Sequence, residues 1–180
     1  VEGTLEVGAG FALTLNGNTD IENTLSLLES STVKVAAGKL LRVASGGTLR
    51  TNISNAPNDV SKYATITHAL TGTYSLIVAT GGTINIPYTT LRYMDASGMQ
   101  VQSGATITAG GLNYLHFRNP PAAGALLSLS VAPPGGALTD IAFYNDDAVA
   151  APVNINGNTN TTIAAALYVA AEHRGTYELT

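Results

Sequence analysis

Few side chains in this chain of 180 residues are of types that do chemistry, so each can be weighed singly. Asn145-Asp146-Asp147 holds the one pair of adjacent carboxylates. Paired carboxylates are the acid and base of glycoside hydrolysis. The Gly-His-Gly and Arg-x-Lys patterns that would complete such a site are absent, and a polar turn after a strand at 141–144 is the expected role. His68, His116 and His173 stand 48 and 57 residues apart, a spacing that predicts separate positions rather than a shared metal. Asn16-Gly17-Asn18-Thr19-Asp20 and Asn156-Gly157-Asn158-Thr159-Asn160 are near-duplicates. Their oxygens suggest calcium, with Asn16, Asn18, Asp20 and Glu22 as ligands, but the second copy has no carboxylate. Asn-Gly is above all a turn former, and a turn is expected at both. The chain has no Cys, no Gly-x-Ser-x-Gly elbow and no phosphate loop ending in Gly-Lys-Ser/Thr. No catalytic residue, cofactor or metal is therefore assigned.

Binding is easier to support. Eight Tyr, three Phe and no Trp lie in a chain that is only 11% charged, against about 25% in ordinary soluble domains. Tyr88 and Tyr93 fall in consecutive runs, followed by Tyr114, and the three would suit a sugar-stacking platform. Thr-x-Thr at Thr65/Thr67, Thr71/Thr73 and Thr106/Thr108 would suit an ice-binding face only if repeated in register along the chain; otherwise Thr is simply a good strand residue. A net charge of −4, with eight Lys and Arg scattered from end to end, argues against nucleic acid.

The elements that must carry these residues are short and regular. Alternating runs occur at Thr4–Val7, Ala12–Leu15, Thr24–Leu27, Thr32–Val35, Lys39–Val43 and Thr48–Arg50. Their leading apolar residues, Leu5, Leu13, Leu25, Val33, Leu41 and Leu49, are separated by 8, 12, 8, 8 and 8 positions. The rhythm returns at Thr65–Thr67, and from Leu76 to Leu115 the separations are 8, 7, 8, 8 and 8. Period two within a run puts every second side chain on a core. Three runs make a coil of about 24 residues, within the range of solenoid repeats. The fold predicted is a right-handed parallel β-helix, with an antiparallel β-sandwich as the alternative, since evenly spaced short strands also mark sandwiches. One domain is expected: regular coils over 1–117, then looser coils or a cap over 118–180, where the spacing lengthens. Asn55–Lys62 reads as a protruding loop.

Ser45-Gly46-Gly47-Thr48-Leu49, Thr80-Gly81-Gly82-Thr83-Ile84 and Ser103-Gly104-Ala105-Thr106-Ile107 resemble the small-Gly-Gly-Thr-apolar repeats of bacterial surface β-helices, such as autotransporter passengers and adhesin-like proteins. That resemblance covers roughly 1–117 and implies an exported setting. The opening Val-Glu-Gly-Thr has no signal-peptide pattern and suggests a processed or excised piece. Prolines 120, 121, 133 and 134 interrupt the longest uncharged run, so no membrane span is expected. The expected role is non-enzymatic: a structural or adhesive module of an extracellular or cell-surface fibre protein. Its partners would be neighbouring subunits, end to end, or glycans. A carbohydrate-binding or carbohydrate-active β-helix is the alternative.

Overall fold

A computed structural model describes residues 3–54, 56, 59–121, 123–136, 138, 140–144, 153–157 and 176–179. Its strands form three sheets, and from β1 to β15 the chain visits them in rotation. Sheet A contains β1 (Thr4–Val7), β4 (Thr24–Leu27), β7 (Thr48–Thr51), β10 (Thr83–Asn85) and β13 (Thr106–Ile107). Sheet B contains β2 (Ala12–Leu15), β5 (Thr32–Val35), β8 (Ala64–His68), β11 (Thr89–Arg92), β14 (Leu115–Arg118) and β16 (Ala142–Phe143). Sheet C contains β3 (Thr19–Ile21), β6 (Leu40–Val43), β9 (Tyr74–Val78), β12 (Met94–Val101), β15 (Ala125–Leu129), β17 (Val153–Gly157) and β18 (Thr176–Leu179). Each strand pairs in parallel with the strand one coil away. The fold is a parallel β-helix, and the antiparallel sandwich is excluded.

Register explains the rhythm. Leu13, Val33, Ile66, Leu91, Phe117 and Phe143 form one inward column of sheet B. Leu41, Leu76, Met99, Leu127 and Ile155 form another in sheet C. From Val33 upward these side chains are fully or almost fully buried in one continuous core. The columns hold because period two gives every strand the same inward residues, whatever lies between strands. Coil length varies accordingly: Leu25 pairs with Leu49, 24 residues on, but Leu49 pairs with Ile84, 35 residues on. Part of that excess is the predicted loop, which leaves the coil between β7 and β8 and carries a 3-10 turn at Val60–Lys62.

The Gly-Gly corners divide their work. Gly46 has φ 80° and Gly81 φ 77°, left-handed values that glycine adopts without strain. The second glycine is needed for space instead: a Cβ on Gly47 would lie 1.8 Å from the Ile21 carbonyl oxygen of the coil below.

One expectation fails here. The 12-residue step between Leu13 and Leu25 hides a third strand, β3, inside what the sequence suggests is only a turn. Asn16–Asn18 make the turn without a left-handed residue, and Thr19-Asp20-Ile21 is extended, with Ile21 inward and Asp20 outward. Three residues with a charge at the centre are too few to show a period. Beyond Arg118 the strands continue the same sheets B and C in parallel register.

Candidate functional site

Two regions collect the side chains singled out above. The first is the outward face of sheet B. The register places Thr14, Lys34, Thr67, Arg92 and Arg118 in one outward column, and Tyr144 follows Phe143 at its upper end. The other outward column holds Ala12, Thr32, Thr65, Thr90, His116 and Ala142. Among the described residues neither contains a carboxylate. A corner column precedes the strands, with Ser30, Tyr63, Tyr88, Tyr114 and Asp140 each three residues before an inward residue of the Val33–Phe143 column.

These aromatic groups lock together. The Tyr88 and Tyr114 rings stack at 4.7 Å, 12° from parallel. Tyr63 meets Tyr88 edge-on at 5.7 Å and His116 at 4.8 Å. His116 in turn lies 5.2 Å from Tyr144, whose ring sits 4.6 Å under the Arg118 guanidinium. Arg92 lies 5.3 Å from the Tyr93 ring centre, and its Nε donates to Asn119 Oδ1 at 3.0 Å. The Tyr platform therefore forms only in part. Tyr88 and Tyr114 are joined, but face to face, so each covers a face of the other. Tyr93 stands at the opposite end of β11, where His68 packs edge-on against it at 4.2 Å. Tyr74 is a core residue whose hydroxyl donates to the Ile66 carbonyl at 3.0 Å.

Electrostatics follow burial. Desolvation, then the charge of Arg118, pulls the His116 imidazole down to about 4, so it is neutral at pH 7. Desolvation, then the neighbouring hydroxyls of Tyr88, Tyr114 and Tyr144, pushes Tyr63 up to about 12. Tyr114 is also raised, first by desolvation and then by the Asp140 carboxylate, to which its hydroxyl is hydrogen-bonded. The backbone is strained around the same place. Among the described residues, the non-glycine residues with left-handed φ are Ser30, Tyr88, Tyr93, Tyr114, Asn119 and Asp140, and all six flank strands of sheet B. Such conformations cost about 1–3 kcal/mol each and concentrate at functional sites.

The second region is the open lower end. In the first coil Leu5 is 40% and Phe11 72% exposed, and Leu13 and Leu15 are half-buried. Leu5, Leu13 and Leu15 border a concavity also lined by Ile21 and Leu25. Among the described residues, the lower edges of β1, β2 and β3 have no paired strand.

The other candidates act as links between coils. Asp20 accepts from Arg42 on the next rung, with Arg42 Nε at 2.9 Å; that hydrogen bond is the main reason its carboxyl is held below the usual range. Asn18 Oδ1 accepts from the Leu40 amide at 3.1 Å. Of the four residues that suggested calcium, Asn18 and Asp20 are thus engaged by protein donors. Ser75 donates to Asp95, and Thr51 Oγ1 donates to the Pro87 carbonyl at 2.7 Å. A Thr column does run up sheet A (Thr4, Thr24, Thr48, Thr83, Thr106), but its companion column is Glu6, Ser26, Arg50 and Asn85, so paired Thr ranks are not sustained. His68 and His116 lie in different columns, and His173, like Asp146, Asp147 and 158–160, lies outside the described residues. What sequence reasoning missed is the sheet B column, whose cations are 58 and 26 residues apart and align only through register.

Compared with family models, with curated proteins and with solved structures, the chain matches none.

Proposed function

We propose that this chain is a non-enzymatic structural module of an exported bacterial surface or fibre protein, extended by adding coil upon coil. The observation that carries this reading is the open first coil. Among the described residues no strand pairs with the lower edges of β1, β2 and β3, which surround an exposed apolar cross-section, and a parallel strand laid on each would satisfy both needs together. The occupant proposed is the far end of a second copy, in a head-to-tail contact that leaves each added unit with the same free end. The use of Asp20, Arg42, Ser75, Asp95 and Asn18 to tie neighbouring coils supports a mechanical role. The test is imaging by negative stain together with light scattering at rising concentration. Rods lengthening by whole units are expected, and Phe11→Lys with Leu13→Lys should leave single units. A wild-type chain that stays a single unit at every concentration overturns the reading.

A second reading, a glycan-binding surface, is favoured by the cluster of Tyr88, Tyr114, His116, Arg118 and Tyr144 on sheet B. Hydroxyls, a neutral imidazole and guanidinium groups on a rigid sheet are a donor and acceptor set suited to sugar hydroxyls. Retention on immobilised glycans, lost in Tyr114→Ala with Tyr144→Ala, is its test.

A further inference from the structure

We propose that Asn16 is a site of self-modification, losing its side-chain nitrogen as ammonia when the Gly17 backbone nitrogen attacks it. The first ground is chemical. Asn-Gly occurs twice in the chain, at Asn16-Gly17 and Asn156-Gly157. In such a pair the Gly N–H gives its proton to hydroxide, and the nitrogen bonds to the Asn Cγ to close a cyclic imide. The Cγ–Nδ2 bond breaks, and ammonia leaves with a proton taken from water. Water then opens the imide at one of its two carbonyls. Cleavage of the new bond gives aspartate. Cleavage of the original peptide bond gives isoaspartate, with the main chain rerouted through Cβ and Cγ. The sum is amide plus water to carboxylate plus ammonium, so no oxidant, metal or second protein takes part. The rate depends on how readily the nitrogen and Cγ come together.

The second ground is place. Asn16 and Gly17 are exposed in the turn between β2 and β3, and a Cβ on Gly17 would meet nothing within 4 Å. The turn is fixed beside the reacting groups: Thr19 Oγ1 donates to the Gly17 carbonyl at 3.2 Å, and Asn18 Oδ1 accepts from the Leu40 amide. Among the described residues, no hydrogen bond holds the Asn16 carboxamide or the Gly17 N–H. Asn156-Gly157 has the same two residues in the opposite setting. It ends β17, which is paired on both sides, Asn156 with Ser128 of β15 and with Glu178 of β18. An extended strand holds the Asn side chain perpendicular to the backbone, away from the next nitrogen. Either product puts a carboxylate beside Asn18 and Asp20. Isoaspartate also adds a methylene to the main chain of the turn that aligns them with Leu40 and Arg42. The first rung of sheet C therefore loosens as the chain ages.

The experiment is peptide mapping of the whole chain by mass spectrometry, sampled over days in mildly alkaline buffer. Asn16 should show the mass change of NH exchanged for O and yield aspartate and isoaspartate products that separate by chromatography. Asn156 should react at least about tenfold more slowly. In urea strong enough to unfold the chain, the two sites should react alike. Gly17→Ala, whose methyl shields the nitrogen, should slow the reaction of Asn16 by about tenfold or more. In converted chains the Leu40 amide should exchange its hydrogen faster than in fresh ones. An Asn16 amide that persists in the folded chain overturns the site. Conversion undiminished in Gly17→Ala overturns ring closure through that nitrogen, and Asn156 keeping pace with Asn16 before unfolding overturns the part given to the fold. Unchanged Leu40 exchange in converted chains overturns the loosening of the first rung.

Discussion

Sheets B and C rise from the same coils, line the same core and differ on the side that faces out. Sheet C ties its first rungs with Asp20 and Arg42, and above them sets Ile77, Gln100 and Ser128. Sheet B sets cations in one column, a histidine in the next and a run of tyrosines at the corner. Inward, the two are interchangeable columns of Leu, Ile, Val, Met and Phe. The difference teaches how a solenoid separates its tasks: alternate residues of a strand are committed to the fold, and the others are free to carry a surface.

If that separation is right, the largest effects should come from inward residues and be alike on both sheets. Phe117→Ala behind sheet B and Leu76→Ala behind sheet C, both fully buried, should each cost about 3–4 kcal/mol in urea unfolding. A much smaller loss on either sheet would break the equivalence. Corners come next. Gly47→Ala drives a Cβ into the Ile21 carbonyl and should cost about 1–3 kcal/mol, while Gly17→Ala meets open space without a left-handed φ and should gain about 0.5 kcal/mol.

Sheet B should answer to mild acid through His116. The folded His116 pKa, about 4, lies below the ordinary value of 6.5, so the unfolded chain binds the proton first. The stability due to neutral His116 is fully present above about pH 6.5 and is lost as pH falls toward 4. His116→Gln should flatten the midpoint-against-pH curve in that window, and an unchanged slope would remove His116 from the buried cluster. The smallest effect belongs to sheet C. Arg42→Gln breaks an exposed ion pair and should leave the urea midpoint within error.

Much of the fold was legible in the chain. Runs such as Thr4–Val7, Ala12–Leu15 and Thr32–Val35 coincide with strands residue for residue, because the alternation is the physical requirement of a half-buried strand. The small-Gly-Gly-Thr segments marked corners for an equally local reason, left-handed backbone followed by close approach. β3 was not legible, since in Thr19-Asp20-Ile21 the charge breaks the apolar run before any period appears. Of the candidate site, Tyr88 and Tyr114 stood out with Tyr93 as a series of aromatics along the runs. Tyr63 did not, because it ends the inserted loop, and only the pairing of Ile66 with Leu91 shows that it shares their corner.

Taken alone, the order of residues determined that the chain would wind, how many positions separate one run from the next, and which side chains turn inward. Those are local matters of alternation, turn chemistry and steric room. Which outward residues stand next to one another was decided only by the stacked coils. Arg92 meets Arg118, and Tyr63 meets His116, because loops of unequal length are absorbed outside the sheets while hydrogen bonding keeps the rungs in step.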